Sequence, residues 1–259
     1  PLSLNHAAFM EWVNPDYFMR PTGRRTARIS CVQYRMRKIQ DFDGFAQQVG
    51  YFVDVAAGYG SDFVLFPELL TAQLMSYIDV KTPVEAIRKL TEYTEQLDEL
   101  FSSLSQRQQI IIVGGSHPTM VGDRIENICT LYQPDGSVYR QPKLHITPNE
   151  QRAWGISGGN TLQVAQTPKA KVGILICYDT EVPEAARYLT DRGAEIIFVP
   201  FCTDDRQAYL RVRYCAQARA VENQVYVAMA GTVGNLPDTE NMDIQYAQSA
   251  VLAPSDFPF

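Results

Sequence analysis

Short apolar runs alternate along this chain with longer stretches whose apolar residues recur every three or four positions. The run at 109–114 contains an unbroken Ile-Ile-Ile-Val, whereas the stretch 41–57 places Phe42, Phe45 and Val49 on one helical face. Unbroken apolar runs are typical of strands buried on both faces, and the wider spacing is typical of helices. Their alternation predicts an α/β fold with a mixed sheet or sheets.

The predicted elements follow one another along most of the chain. Strands are expected at 28–34, 62–66, 109–114, 161–165, 171–177, 195–199, 225–230 and 249–252, and helices at 41–57, 83–104, 182–190 and 208–221. Residues 126–133 and 137–141 flank Pro134-Asp135-Gly136, which predicts a β-hairpin. The chain has no internal repeat or interior linker. We therefore expect one domain at 26–259, preceded by an approach segment or linker at 1–25.

Composition excludes several classes of protein. The 259 residues, 46% apolar and 20% charged, are enough for a large core that needs no disulfide staples. A net charge of −6 disfavours nucleic acid as a partner, and no apolar run is long enough to cross a membrane. The five cysteines form no C-x-x-C pair and the three histidines are scattered, so we expect no metal site and a reduced, cytoplasmic setting.

Three polar residues stand at or just beyond the ends of predicted strands. Glu68 follows the strand at 62–66, Lys143 follows the hairpin, and Cys177 ends the strand at 171–177. Functional sites in α/β sheets gather at the carboxyl ends of strands, where an acid, a base and a thiol can form a nucleophilic centre. Each residue alone has an ordinary explanation, because a cysteine at the end of an apolar strand is usually a small buried side chain.

The surrounding sequences are far more specific than the single residues. They are FVLFPELL at 63–70, YRQPKLHITPNE at 139–150, VGILICYDTEVPEAAR at 172–187 and ARAVENQVYV at 218–227, in that order. With these four motifs the chain resembles the nitrilase superfamily, also called carbon–nitrogen hydrolases, over about residues 26–254. The resemblance implies a four-layer αββα sandwich.

The resemblance also assigns roles to individual residues. Glu68 matches the general base of the family, Lys143 its catalytic lysine and Cys177 its nucleophile. Glu150 falls where many members carry a second, supporting glutamate, and Asn127 resembles the asparagine that precedes the lysine. The implied reaction is cleavage of a non-peptide C–N bond in a small linear amide through a thioester, with no metal or organic cofactor.

Further residues receive weaker assignments. The backbone N–H of Tyr178 is expected to stabilise the oxyanion, and Thr203 is expected to contact the substrate. Arg206, Arg211 and Arg213 stay open between an acidic substrate group, solvent and a second subunit.

Several alternatives remain open at this stage. A nitrilase or an acyl-transferring member would use the same cysteine, and a regulatory module of a fused protein would use none of this chemistry. A papain-like protease is less favoured, because neither His117 nor His145 lies in a matching motif.

The two ends of the sequence depart from the family pattern. The family usually continues beyond a stretch like 248–254, so we expect the C-terminal part of the fold to be missing from this sequence. The segment 1–25 resembles the branch in which the hydrolase follows an acetyltransferase-like domain. By resemblance we also expect a homodimer formed through the helices at 182–190 and 208–221.

Overall fold

The protein is described from a computed structural model, which covers residues 26–80, 82–237, 239 and 242–255. The segment 1–25, expected as an approach segment or linker, lies outside the described residues. The α-helices are α1 (Phe42–Gly58), α2 (Pro83–Leu90), α3 (Thr94–Gln108), α4 (Pro148–Trp154), α5 (Pro183–Asp191) and α6 (Arg206–Asn223). Short 3₁₀ helices cover Leu70–Ser76, Thr91–Tyr93 and Cys177–Glu181.

The strands form two mixed sheets. The strands are β1 (Ile29–Cys31), β2 (Tyr34–Met36), β3 (Phe63–Leu65), β4 (Ile111–Val121), β5 (Arg124–Tyr132), β6 (Val138–Pro142), β7 (Ile156–Ser157), β8 (Ala165–Gln166), β9 (Lys171–Ile174), β10 (Ile196–Phe201), β11 (Tyr226–Asn235), β12 (Ile244–Gln245) and β13 (Ala250–Leu252). The first sheet has the order β1-β3-β4-β5-β6, with β7 beside β5. The second has the order β12-β11-β10-β9-β8, with β2 and β13 beside β11. Both contain parallel and antiparallel pairs, which confirms the predicted α/β class with mixed sheets.

Alternate side chains of β3 enter two different cores. Phe63 and Leu65 pack in a cluster with residues of β9, β10, α5 and α6, and the rings of Phe63 and Phe198 lie 5.3 Å apart. Val64, and Phe66 just beyond the strand, belong to the other cluster and pack with residues of α1 and α3. This two-residue period is the ordinary consequence of strand geometry, and it buries β3 on both faces.

The expected helix at 83–104 is wrong as a single element. The structure has α2 and α3 instead, separated by the 3₁₀ turn Thr91–Tyr93. The Thr91 hydroxyl donates to the Arg88 carbonyl at 2.7 Å, and the Thr94 hydroxyl donates to the Thr91 carbonyl at 2.8 Å. Threonine hydroxyls that compete for backbone carbonyls weaken a helix at that point, which accounts for the break.

Three expected strands also differ from the observed ones. The strand predicted at 28–34 is two short strands, of which β1 pairs with β3 and β2 pairs with β11 in the other sheet. The strand predicted at 161–165 is wrong except for Ala165, where β8 begins. The strand predicted at 171–177 ends at Ile174, so Cys177 lies in a 3₁₀ turn beyond it.

No helix within the described ranges has both the length and the apolar character needed to cross a bilayer.

Candidate active site

Glu68, Lys143 and Cys177 come together from three separate parts of the chain. Glu68 follows β3, Lys143 directly follows β6, and Cys177 follows β9. Their exposed fractions are 2%, 1% and 7%. The structure therefore brings the three predicted residues into one buried cluster at strand ends, as expected from the sequence.

The Lys143 ammonium lies between two carboxylates. Its Nζ donates to Glu68 Oε1 at 2.7 Å and to Glu150 Oε2 at 2.6 Å. The fully buried Asn127 amide donates to the same two side chains, at 3.1 Å to Glu68 and 3.3 Å to Glu150. Charge-assisted hydrogen bonds of this length hold the ammonium at a fixed place between the acids.

Burial and charge set the protonation of this cluster. Burial raises the pKa of Glu68 to about 7, with the Lys143 charge opposing the shift and the Glu150 charge adding to it. Burial alone would lower the pKa of Lys143, but the charges of Glu68 and Glu150 outweigh it and hold that pKa well above its usual value. Lys143 is therefore a permanent cation, whereas Glu68 can exchange a proton near neutral pH.

The Cys177 thiol points into the same cluster. Burial, then the Glu68 charge, raises the pKa of Cys177 well above its usual value, although Lys143 opposes the shift. The thiol donates to the Cys202 carbonyl oxygen at 3.8 Å. A thiol in this environment is protonated at rest, so its reaction as a nucleophile requires a base.

The turn that carries Glu68 is fixed by the neighbouring strand β4. The Ser116 N–H donates to the Pro67 carbonyl at 3.2 Å, and the Ser116 hydroxyl accepts from the Leu69 N–H at 3.0 Å. Gly115 has φ +70°, and a Cβ there would lie 2.1 Å from the Pro67 oxygen. Only glycine permits this close approach, so β4 determines the direction in which Glu68 leaves its strand.

Glu150 lies in the first turn of a helix that was not predicted from the sequence. Helix α4 starts at Pro148 with Thr147 as its N-cap, and the Thr147 and Glu150 side chains form a capping box. The pattern Thr-Pro-Asn-Glu at 147–150 is the sequence signature of such a start and could have revealed it. The helix holds the Glu150 carboxylate against Lys143, which agrees with the expected supporting role of Glu150 without testing it.

A pocket of about 200 Å³ opens onto Glu68, Lys143 and Cys177. Tyr178 and Thr203 are among the residues that line it. The Thr203 hydroxyl donates to the Tyr246 carbonyl at 2.7 Å, which leaves its oxygen as an acceptor. Tyr178 lies in the first turn of the 3₁₀ helix Cys177–Glu181, where backbone N–H groups have no earlier partner within the helix.

The sequence left the roles of three arginines undecided, and of these three only Arg211 lines this pocket. Its Nε donates to Glu181 at 2.9 Å, and its side chain is 62% exposed. Arg206 and Arg213 are not among the lining residues.

Two further contributions were missed by sequence reasoning. The Cys202 N–H donates to Glu68 Oε2 at 3.0 Å, and the buried Asp179 carboxylate accepts from the backbone beside both Lys143 and Cys177. Backbone donors carry no residue-type signal, so only the fold reveals them. Among the described residues, no group of three or more His, Cys, Asp or Glu side chains is arranged to hold a metal ion.

Comparison with known proteins identifies the family. Residues 28–255 match the carbon–nitrogen hydrolase family model. The chain is 53% identical over 262 residues to "Probable hydrolase YhcX" of Bacillus subtilis, covering 99% of this chain and 51% of that protein. It is 28% identical to "Omega-amidase NIT2" of Danio rerio, covering 88% of this chain and 80% of that one. The chain thus spans about half the length of the Bacillus relative.

Solved structures agree with this match. Saccharomyces cerevisiae Nit3, described as a member of branch 10 of the nitrilase superfamily, aligns with a TM-score of 0.75 and 26% identity over 88% of this chain and 82% of that one. An amidase from Nesterenkonia aligns with a TM-score of 0.74 and 22% identity over 90% and 84%, which bears on the fold alone. This chain belongs to the carbon–nitrogen hydrolase family and has an α/β fold of the nitrilase type. Omega-amidases are among the proteins to which it is similar.

Proposed function

We propose that the protein is a cysteine-dependent amidase that cleaves a non-peptide C–N bond of a small linear amide through a thioester on Cys177. The observation that carries the proposal is the Lys143 ammonium, buried between Glu68 and Glu150 beside the Cys177 thiol. A buried cation with two acids and a thiol at the floor of an open pocket is costly for stability and is typical of a catalytic site.

Acylation begins with proton transfer from the Cys177 thiol to Glu68. The sulfur attacks the amide carbonyl carbon, and the carbonyl oxygen becomes an oxyanion. Collapse of this intermediate breaks the C–N bond, Glu68 returns its proton to the leaving nitrogen, and ammonia or an amine departs. Because the pKa of Glu68 is about 7, the same carboxyl can accept and donate the proton near neutral pH.

In deacylation, water hydrolyses the thioester on Cys177. Glu68 takes a proton from water, and the water oxygen attacks the thioester carbonyl carbon. The C–S bond then breaks, the sulfur recovers the proton from Glu68, and the carboxylic acid leaves. Glu68 thereby serves both half-reactions and returns to its starting state.

The oxyanion is stabilised by Lys143 and by the backbone N–H of Tyr178. Lys143 is a fixed cation, and fixed donors aimed at developing charge commonly contribute about 10²–10³ in rate each. We assign Glu150 the role of holding Lys143, and Thr203 that of a substrate contact through its free acceptor capacity.

The substrate class follows from pocket size and from relatives. A pocket of about 200 Å³ suits a small linear molecule. The omega-amidase relatives make ω-amides the first substrates to test. Nitrile hydrolysis, acyl transfer to an amine and a purely regulatory role are the alternatives that the same experiment separates.

The layering of the fold and the oligomeric state are also proposed. We propose that the helices and the two sheets form four layers, supported by the opposite packing of alternate β3 residues. We propose a homodimer through α5 and α6, supported by exposed Tyr188 and Tyr214 on these helices. Light scattering that gives only the mass of one chain would contradict the dimer.

Predictions about setting and chain ends remain proposals as well. A cytoplasmic location is supported by five cysteines that are all unpaired. The fused acetyltransferase-like domain remains a prediction, which the family match over residues 28–255 does not test.

Ammonia release tests the proposal. The panel contains ω-amides, N-carbamoyl amino acids, simple aliphatic amides and nitriles, with and without an added amine acceptor. We expect release from at least one ω-amide, and we expect it to disappear in a folded Cys177→Ala variant. Release that survives in Cys177→Ala, or no release from any compound by the folded protein, would contradict the proposal.

A further inference from the structure

The Asp179 carboxylate lies between the two chain segments that carry Lys143 and Cys177. It is 1% exposed, it accepts from the backbone N–H groups of Leu144, His145 and Ile176, and the His145 imidazole Nδ1 lies 2.9 Å from its Oδ1. It sits two residues beyond Cys177, inside the same 3₁₀ turn, yet it reaches across to the segment that follows β6.

On the lysine side, Asp179 binds the two residues that follow Lys143. Oδ1 accepts from the His145 N–H at 2.8 Å, and the Leu144 N–H lies 3.2 Å from Oδ1 and 3.3 Å from Oδ2. Lys143 itself is held from the other direction, because its N–H donates to the Asn127 carbonyl at 2.8 Å. The backbone of Lys143 is therefore fixed between the β5–β6 hairpin and Asp179.

On the cysteine side, Asp179 closes the turn that contains the nucleophile. Oδ2 accepts from the Ile176 N–H at 3.2 Å, and the Asp179 N–H donates to the Ile176 carbonyl at 3.0 Å. Cys177, enclosed by this pair of bonds, has φ +47°. A non-glycine residue keeps a left-handed conformation only where its surroundings impose it.

We propose that Asp179 is a positioning residue that fixes the Cys177 sulfur relative to the Lys143 ammonium. This inference rests on the proposed amidase function and deepens it. The donors beside both catalytic residues converge on one carboxylate, so a shift of either segment would be transmitted to the other. An amide at this position would turn an N–H group toward one of these donors, because only one of its two terminal atoms accepts.

The test compares Asp179→Asn with Asp135→Asn. Asp135 also accepts a backbone N–H, from Ser137 at 2.9 Å, but it lies in the hairpin turn at the opposite end of β6 from Lys143. We would measure kcat per alkylatable Cys177, KM, the rate of Cys177 alkylation by iodoacetamide against pH, and thermal unfolding. Expressing kcat per reactive thiol removes any loss that is due only to misfolded protein.

A misplacement of about 1 Å in a catalytic site commonly costs about 10²-fold in rate. We therefore expect Asp179→Asn to lower kcat per reactive thiol by about that factor, to change KM little and to shift the pH dependence of alkylation. Asp135→Asn should match the unchanged protein. Wild-type kcat per remaining reactive thiol in Asp179→Asn would show a purely structural role and would overturn the inference.

The alkylation measurement separates this inference from the function itself. If the unchanged protein releases no ammonia from any amide, the proposed function fails, but alkylation still reports how the Cys177 thiol is placed. A slowed or pH-shifted reaction in folded Asp179→Asn would then support positioning, and an unchanged one would reject it.

Discussion

The Lys143 ammonium and the Glu68 carboxylate are joined by a 2.7 Å ion pair in which both side chains are almost wholly buried. A second acid, Glu150, binds the same ammonium, so the cluster holds more acid than base. Burial raises the pKa of Glu68 to about 7 and the pKa of Cys177 well above its usual value, while the Lys143 charge opposes both shifts and the Glu150 charge adds to both. The site therefore places a carboxyl group that can exchange a proton, Glu68, next to a neutral thiol, Cys177.

The acid limb of the profile of kcat/KM against pH should follow the ionisation of Glu68. Since the pKa of Glu68 is raised to about 7 and the base must be ionised, kcat/KM should fall as the pH drops through that value. Glu150 contributes to the raised pKa, so Glu150→Gln should move the acid limb to lower pH. Initial rates in overlapping buffers check both points. An acid limb near the ordinary glutamate pKa in the unchanged protein would count against Glu68 as the base.

Removing Lys143 should cost stability as well as activity. Lys143→Met leaves two buried carboxylates without their cation, and breaking a buried pair in this way typically costs about 3–5 kcal/mol in the free energy of unfolding. Adding Glu150→Gln to that variant should recover part of the loss. Urea unfolding of the single and double variants measures both effects.

The matched control for Lys143 is the exposed pair of Lys89 and Glu92, which are also 2.6 Å apart. Lys89→Met should leave the free energy of unfolding almost unchanged, because solvent already screens that pair. Equal losses for Lys89→Met and Lys143→Met would show that burial of the Lys143 ion pairs does not determine their effect on the free energy of unfolding.

Gly115→Ala should disturb the turn that carries Glu68. A Cβ would meet the Pro67 oxygen at 2.1 Å in a left-handed backbone, so we expect a loss of about 2–4 kcal/mol in unfolding free energy and a lower kcat. Gly122 has φ +63°, and a Cβ added there would meet nothing within 4 Å, so Gly122→Ala should cost only about 1–2 kcal/mol and leave kcat intact. Denaturant unfolding and kcat are measured for both variants. Equal losses in the two variants would show that the close approach of Gly115 to Pro67 does not position Glu68.

Cys202→Ala should retain activity although Cys202 lines the pocket. Cys202 contributes its backbone N–H to Glu68 and its carbonyl to Cys177, and both groups survive the substitution. Its thiol donates to Gln245 at 3.0 Å, away from these contacts. Steady-state kcat/KM is the measurement, and a drop of about tenfold or more, equivalent to about 1.4 kcal/mol, would mean that the Cys202 thiol takes part in the reaction.

The sequence predicted those parts of the site that depend on local pattern. The α/β class followed from apolar periodicity, and Glu68, Lys143 and Cys177 followed from motifs at strand ends. Helix α4 was missed although the capping pattern of Thr147 and Glu150 was present, because its few apolar residues give no helical period. Without helix α4, the sequence analysis could not explain why Glu150 lies beside Lys143.

Other features depend on contacts between distant parts of the chain. The split of the predicted strand 28–34 depends on which sheet each half joins, and pairing partners leave no local signal. Asp179 looks like any acid in a turn until the fold brings Leu144 and His145 against it. The Cys202 N–H is equally invisible, since every residue except proline has such a donor.

The most direct test is to detect the acyl group on Cys177. The protein would be mixed with an amide from which it releases ammonia, quenched in acid during turnover, and its peptides analysed by mass spectrometry. We expect the peptide that contains Cys177 to gain the mass of the acyl group less one hydrogen, and we expect no such gain in Cys177→Ala. Ammonia released at full rate with no acyl group on Cys177 at any time point or pH would contradict the thioester mechanism.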